Sequence, residues 1–305
     1  MSVQTANVPV FQKKGSFSEE YGLNVYFDNG FPLGVDQSPE LIASMRNFPF
    51  QADDVLIVGY PKSGTNWLQI MVTSLYAHWS NLEICNGIVP QFEMLDAGDD
   101  FLAHDTCLRL KTPRLIKSHQ PVQYTPLPKG RYKIIYIDRN PKDICVSFFH
   151  ELKAQEWVTN FTMSWDEWVE HFVEGKTLFG PWVDYVLGWR RLDVRDDVLC
   201  LNYDEVRYNV APTLRMIANF LGKPVSDDKI AKVVEDTSFE AMRKKGPAES
   251  KINAFNKARS KPFLRKGTVG DWKNQFTVAQ SEWFDATIGR RLKEAGVDFP
   301  AAEFR

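Results

Sequence analysis

The sequence of 305 residues contains only four cysteines, and no two of them form a C-x-x-C pair or another metal-ligand spacing. The absence of such paired spacings argues against a structural zinc site. The scattered cysteines favour a reducing compartment in which the thiols are free. No apolar run approaches the length of a membrane span, and residues 1–15 lack the apolar region of a secretion signal. We therefore expect a cytoplasmic protein that is not bound to a membrane.

The sequence also lacks an excess of basic residues. Lysine and arginine number 37 against 39 for aspartate and glutamate, which gives a formal net charge of −2. This balance argues against non-specific nucleic-acid binding, which requires a basic surface. If the ligand is anionic, the basic groups that bind it must be concentrated locally.

Short apolar runs alternate with segments of helical periodicity along the chain. The predicted strands are residues 55–58, 114–119, 132–137 and 198–201. This alternation predicts a single α/β domain over residues 1–305, with a central, mainly parallel sheet flanked by helices. One helix is predicted from Val206 to Leu221. We expect residues 1–30 to form an N-terminal arm, and residues 81–112 and 246–266 to be lids over the substrate or cofactor.

The stretch from Val55 to Trp67 predicts a strand, a tight loop and the start of a helix. Such a P-loop-like turn directs backbone N–H groups and a helix N-terminus toward one point, where an anion is stabilised. Lys62 adds a positive charge there, and further donors come from Ser63, Thr65 and Asn66. The G-x-x-x-x-G-K-[ST] phosphate loop itself is absent, because the lysine here precedes the glycine. A purely structural turn does not explain these donors, so we interpret the loop as an anion site.

Ligands of parallel α/β sheets bind beyond the carboxyl ends of the strands. The residues that follow predicted strands and carry useful chemistry are Lys62, Lys117, His119, Arg139 and Tyr203. A neutral His119 could remove a proton from an acceptor as a general base, although a histidine in isolation is more often structural. Arg139 either pairs with Asp143 at i+4 or binds a phosphate together with Ser147.

Two further features favour a nucleotide that carries phosphates at two separated positions. Arg265, Lys266 and Gly267 form a basic cluster that is either a solvated face or a turn binding an anion. Trp67 and Phe239 either enclose a base or belong to the core. No acidic metal cluster lies near the loop, and phosphoryl transfer normally needs Mg²⁺ held by carboxylates. This weakens a kinase interpretation, and we expect no bound metal.

Three motifs in this order resemble those of the cytosolic sulfotransferase family. They are residues 60–67, residues 138–143 continuing to Ser147, and residues 265–272. The resemblance runs from about residue 30 to the C-terminus. It implies transfer of a sulfuryl group from 3′-phosphoadenosine-5′-phosphosulfate (PAPS), leaving PAP, to a hydroxyl or amine of a small, largely apolar acceptor. The chain departs from the family at Glu151, which puts a charge where relatives have an apolar wall.

The resemblance also implies roles for single residues. The catalytic residues would be His119 as base, with Lys62, Lys117 and Ser147. The acceptor would contact Lys117, Ser118 and His119, where the family usually has Lys-Thr-His. The donor would contact Lys62, Ser63, Gly64, Thr65, Asn66, Trp67, Arg139, Ser147, Tyr203, Thr237, Ser238, Phe239, Met242, Phe263, Arg265, Lys266 and Gly267. A homodimer is implied by a short motif consisting of Lys273, Thr277, Val278 and Glu282.

Two other functions remain open from the sequence. One is a nucleotide-dependent kinase that shares this loop, which ATP- and Mg²⁺-dependent transfer would establish. The other is a non-catalytic protein that binds a bisphosphate nucleotide or a hydrophobic ligand, and such a protein would tolerate loss of His119 or Lys62. Sulfonation could also be a step toward loss of water from a fragile alcohol. The acceptor itself is not identified by the sequence.

Overall fold

The computed structural model describes residues 12–13, 26–28, 31–33, 39–79, 107–109, 113–127, 130, 132–154, 161–245 and 264–297. Most of the expected arm (residues 1–30) lies outside the described residues. The same holds for residues 81–106, 110–112 and 246–263 of the two expected lids, and therefore for Phe263.

A small antiparallel sheet is described near the N-terminus. Its strands, in spatial and chain order, are β1 (Gln12–Lys13), β2 (Tyr26–Asp28) and β3 (Phe31–Leu33). Strand β2 pairs with both neighbours, so this part of the chain contains regular structure within and beyond the expected arm.

The central sheet has four parallel strands. They are β4 (Val55–Val58), β5 (Leu115–Ser118), β6 (Lys133–Asp138) and β7 (Val198–Asn202), arranged in the order β5-β4-β6-β7. All pairings are parallel, and β4 lies between β5 and β6 in register. The predicted α/β domain with a parallel central sheet is confirmed. The chain adds β5 on one side of β4 and then β6 on the other, so the carboxyl end of β4 is where a ligand site is expected.

Helices cover both faces of the central sheet. They are α1 (Pro39–Arg46), α2 (Thr65–Trp79), α3 (Pro141–Ala154), α4 (Trp165–Glu174), α5 (Trp182–Arg190), α6 (Tyr203–Tyr208), α7 (Val210–Phe220), α8 (Asp227–Asp236), α9 (Phe239–Lys245) and α10 (Val278–Glu294). The prediction of one continuous helix from Val206 to Leu221 is wrong, because the structure has two helices there. The segment is divided into α6 and α7 by Asn209, whose φ of −131° and ψ of 49° are not helical.

Alternation along the strands divides the core into two clusters. Leu56 and Val58 of β4 point to a cluster rich in aromatic side chains from α3, α4, α5 and α10. Val55 and Ile57 point to the opposite, more aliphatic cluster formed with α2, α7 and α8. Burial on both faces explains why the strands read as continuous apolar runs. The described part of the chain has no helix long and apolar enough to cross a membrane.

Candidate active site

The loop between β4 and α2 has the backbone geometry of an anion cradle. Lys62 has a φ of 73° and Gly64 a φ of 99°, so the residues on either side of Ser63 both have left-handed backbone conformations. A Cβ on Gly64 would lie 2.5 Å from the ring of Tyr203, and only glycine fits there. Ser63 Oγ is buried without a hydrogen-bond partner among the described residues. Because buried hydroxyls are normally paired, this atom fits a bound anion.

Two lysines meet at this loop from different elements. Lys117, on β5, is buried and donates to Asn66 Oδ1 at 2.7 Å, which brings its charge to the start of α2. Lys62 Nζ lies 2.8 Å from Glu151 Oε2 on α3. The sequence therefore predicted the two cations correctly as neighbours of the loop. It did not predict that Glu151 is the carboxylate paired with Lys62.

His119 lies directly after β5 and is buried against the loop. Its Nδ1 is 2.6 Å from the carbonyl oxygen of Gly59. A carbonyl can only accept, so Nδ1 carries the hydrogen and the lone pair of the neutral ring is on Nε2. Burial, followed by the charge of Lys117, lowers the pKa of His119 to about 3, against an opposing effect of the Gly59 hydrogen bond. The imidazole is therefore neutral at pH 7, as a general base must be.

Arg139 connects the loop to the last of the three sequence motifs. Its guanidinium donates to the carbonyl oxygens of Lys62 at 3.3 Å and Thr268 at 3.1 Å, and it stacks 4.3 Å from the centre of the Tyr203 ring. The alternative ion pair with Asp143 is also present, at 3.5 Å. Nε of Arg139 is buried and has no hydrogen-bond partner in the described residues. This leaves one donor of the guanidinium available to a ligand.

The carboxylate of Asp143 fixes the position of the turn that follows the basic cluster. It accepts from the backbone N–H groups of Gly270 at 2.8 Å and Trp272 at 3.0 Å. This contact joins the start of α3 to residues 270–272 across more than a hundred positions of sequence. Sequence reasoning treated Asp143 only as a possible partner of Arg139, and the structure adds this positioning role.

The two basic side chains of the cluster are paired with one aspartate. Arg265 and Lys266 each lie 2.6 Å from a different oxygen of Asp271. Burial raises the pKa of Asp271, but hydrogen bonds from Lys266, Asn274 and Arg265 outweigh it and lower the pKa to about 2. The carboxylate is therefore ionised at pH 7. Asp271 was not identified from the sequence, although it lies within the third motif.

Aromatic side chains form a wall beside the loop. Trp67 donates its indole N–H to the carbonyl of Thr237 at 3.0 Å and meets the Tyr203 ring edge-to-face at 5.7 Å. A Cβ on Gly267 would lie 2.6 Å from the ring of Phe239, so the backbone packs directly on that ring. Arg207 donates to the carbonyl of Gly267 at 3.0 Å. The sequence did not indicate Arg207, because its role depends on a contact 60 residues away.

The structure thus brings most of the predicted residues to one edge of the sheet. Thr237 and Ser238 lie between α8 and α9, and Phe239 and Met242 lie on α9. Of these residues, Thr237 accepts from Trp67 and Phe239 packs against Gly267. Ser147 lies on α3, four residues before Glu151. Ser118 is different, since its Oγ accepts from the backbone N–H of Gln120 at 3.0 Å and strand alternation directs it away from Lys117 and His119. No group of three or more metal-ligating side chains is found in the described residues.

Comparison with known proteins gives one consistent result. Residues 52–296 match the family model described as Sulfotransferase domain. Human sulfotransferase 1C2 is 31% identical over 266 residues, which cover 84% of this chain and 89% of the relative. Mouse sulfotransferase 1A1 is 34% identical over 284 residues, which cover 88% of this chain and 94% of the relative.

Solved structures agree with these sequence matches. The crystal structure of mouse sulfotransferase SULT7A1 complexed with PAP aligns with a TM-score of 0.74 at 30% identity, over 89% of this chain and 95% of that chain. Retinol dehydratase in a complex with retinol and PAP aligns with a TM-score of 0.79 over 95% of this chain and 98% of that chain. The latter match is 20% identical and shows the fold alone.

Proposed function

This chain belongs to the sulfotransferase family, and we propose that it transfers the sulfuryl group of PAPS to a hydroxyl or amine of a small acceptor with His119 as general base. PAPS dependence is supported by the family and by the PAP found in the SULT7A1 structure. The fit of this chain to the donor rests on its own geometry. Ser63 Oγ lies in the cradle, and Arg139 donates to the carbonyl of Lys62 in the same loop. Ser63 Oγ and Arg139 Nε are buried donors without hydrogen-bond partners in the described residues.

The proposed donor contacts follow from the arrangement of these groups. Residues 62–67 would hold the 5′-phosphosulfate, and Trp67 would stack on the adenine. The 3′-phosphate would be bound by Arg139, Ser147, Arg265, Lys266 and Gly267. Tyr203, Thr237, Ser238, Phe239 and Met242 would surround the adenosine. Phe263 stays a prediction from sequence.

The protein residues divide the chemistry between them. When bound, the donor supplies a sulfuryl group on a phosphate leaving group. Nε2 of His119 removes the acceptor proton, which is possible because Gly59 holds the other ring nitrogen as the donor. Lys62 and Lys117 then stabilise the charge that grows on the oxygens around sulfur and on the leaving group. Ser147 is proposed to assist from α3.

The observation that carries this proposal is the neutral, oriented imidazole of His119 beside an anion cradle. The test compares wild type with His119→Asn, whose amide can still donate to Gly59. Transfer of labelled sulfate from PAPS to a panel of phenols, sterols, alcohols and amines is measured, together with PAP binding. We expect the variant to bind PAP and to lose roughly 10²–10⁴-fold in turnover, the usual contribution of a positioned acid–base group.

Each other outcome identifies a different error. Near-normal turnover by His119→Asn would remove the histidine from the mechanism. PAP binding without transfer in the wild type would favour the non-catalytic alternative. Transfer of phosphate from ATP with Mg²⁺ would favour the kinase alternative.

We also propose a homodimer that uses Lys273, Thr277, Val278 and Glu282. Thr277 caps α10, and the next residue, Val278, is 76% exposed. Trp283, five residues further along the same helix, is 41% exposed. Exposed apolar side chains at a helix start suit an interface. Sedimentation of wild type and Val278→Glu tests this, since the variant should be monomeric.

A cytoplasmic location is proposed from the free thiols predicted by the sequence and is tested by cell fractionation.

A further inference from the structure

A strained residue lies against the histidine that is proposed to be the base. Phe179, between α4 and α5, has a φ of 70°, a left-handed conformation that glycine adopts freely and a bulky side chain rarely adopts. Its ring meets the imidazole of His119 edge-to-face, with 5.8 Å between the ring centres. In the described part of the chain, Lys62 of the cradle is the one other non-glycine residue with a positive φ. Strained conformations persist where the surrounding structure holds them, and they cluster at active sites.

Phe179 belongs to a tight turn formed by residues 177–180. The backbone N–H of Gly180 donates to the carbonyl oxygen of Thr177 at 3.0 Å and closes the turn. Phe179 is at the third position, where a positive φ is typical of a type II turn and glycine is the usual residue. A glycine would therefore form the same turn without strain. The phenylalanine supplies a ring against His119, which a glycine would not.

The hydroxyl of Tyr60 anchors this turn to the start of the loop between β4 and α2. It lies 2.6 Å from Oγ1 of Thr177 and 3.0 Å from the carbonyl oxygen of Gly180. Tyr60 and Thr177 are each only 1% exposed, so these bonds are shielded from bulk water. Because the carbonyl only accepts, one hydroxyl donates to the other, which donates to Gly180. Both ends of the turn are thus held by Tyr60.

Two neighbouring residues of the loop therefore restrict the imidazole of His119 in different directions. Gly59 accepts from Nδ1 at 2.6 Å, which fixes one edge of the ring. A single hydrogen bond still allows the ring to tilt about that bond. The ring of Phe179, at 71° to the imidazole, lies against it and limits this tilt. The next residue of the loop, Tyr60, holds Phe179 in place through the turn, so Nε2 keeps one direction.

We propose that Tyr60 is a positioning residue for His119, and that its hydroxyl acts through the turn of residues 177–180 and the ring of Phe179. This inference rests on the proposed sulfuryl transfer and goes beyond it by naming the residues that orient the base. A general base must lie within about 2.6–3.2 Å of the proton that it removes. A tilted imidazole moves Nε2 away from the acceptor. Loss of the Tyr60 hydroxyl should therefore slow turnover without removing a group that binds the donor.

A double-mutant cycle tests the proposal. Tyr60→Phe removes the hydroxyl and keeps the ring, with its edge contacts to neighbouring aromatic side chains. With an acceptor from the panel, kcat should fall about tenfold while the KM for PAPS changes less than about twofold, since a small misplacement of a reacting group can cost up to about 10²-fold in rate. Phe179→Gly removes the ring but suits the positive φ, and it should also lower kcat. Tyr60→Phe should then cause no further loss in the Phe179→Gly background.

Tyr132→Phe is the matched control. Tyr132 is another buried tyrosine, and its hydroxyl donates to the carbonyl oxygen of Pro126. The control therefore removes a comparable hydrogen bond and should leave kcat unchanged. Thr177→Val breaks the same hydroxyl chain and replaces Tyr60→Phe if that variant fails to fold. An unchanged kcat in folded Tyr60→Phe, an equal loss in the control, or an equal loss with and without the Phe179 ring would each overturn the proposal.

A measurement that needs no turnover separates this inference from the proposed function. The ring nitrogens of isotope-labelled histidine are observed by NMR in the nucleotide-free protein, and His119→Asn identifies the signals of His119. Tyr60→Phe should shift the Nε2 signal of His119 in the wild-type background but not in the Phe179→Gly background. That result supports the positioning role even when no acceptor is sulfonated. An Nε2 signal that Tyr60→Phe leaves unmoved contradicts the role, whether or not sulfuryl transfer is found.

Discussion

Acid pH should destabilise the wild-type protein more than a His119→Asn variant. The folded pKa of His119 is about 3, because the ring is buried beside Lys117, whereas the unfolded value is about 6.5. Between these two values the unfolded state binds a proton that the folded state does not. The free energy of unfolding therefore falls as the pH drops below 6.5. One pKa unit corresponds to 1.36 kcal/mol, so lowering the pH from 7 to 5 costs about 2 kcal/mol through this residue.

The asparagine variant removes the titration and keeps a donor toward Gly59. Asp138 and Asp204 work in the opposite direction, because burial raises the pKa of each to about 6 and the folded state gains protons there. Both groups are present in both proteins, so their effect cancels in the comparison. Urea unfolding followed by tryptophan fluorescence, without nucleotide, gives the four free energies. An equal change with pH in the two proteins would refute a buried, neutral His119.

Three further substitutions have defined outcomes. Gly64→Ala directs a methyl group into the Tyr203 ring at 2.5 Å and should weaken PAP binding by about tenfold or more, since such strain costs about 1–3 kcal/mol; calorimetry with unchanged affinity would contradict this. Asp54→Ala removes the carboxylate that pairs with the buried guanidinium of Arg114 and should reduce the free energy of unfolding by about 3–5 kcal/mol in urea titrations. Asp271→Asn weakens the competing contacts of its two partly exposed basic partners and should raise PAP affinity up to about fivefold; weaker binding would show that the aspartate positions them instead.

Local sequence patterns were sufficient to predict the parts of the fold that depend on neighbours in the chain. The apolar run Val55–Val58, followed by proline, glycine and a helical repeat, predicted strand β4, the loop and helix α2, and all three are present. Parallel strand order then brought Lys117, His119 and Arg139 to the same edge. The break at Asn209 could not be predicted, because the helical spacing of apolar residues continues from α6 into α7. The backbone at Asn209 is not helical, and the spacing of apolar residues does not show this.

The acidic partners of the site could not be predicted in the same way. Lys62 and Glu151 are 89 residues apart, and Asp143 accepts from Gly270 across 127 positions. Such contacts depend on how α3 crosses the sheet and how the chain returns after α9. No local periodicity reports either of these. The sequence did identify Glu151 as a departure from its relatives. It did not predict that Glu151 pairs with Lys62.

The acidic partners also explain how a chain of net charge −2 can present an anion site without attracting every anion. Lys62 faces Glu151, and Arg265 and Lys266 both face Asp271. An incoming anion must therefore compete with carboxylates that are already in contact with these groups. With the donor contacts proposed above, a single phosphate would displace only one of them, whereas a nucleotide with groups at both ends would displace them together and also gain the contacts of the cradle. Selectivity would then come from the spacing of the two proposed sites rather than from excess positive charge.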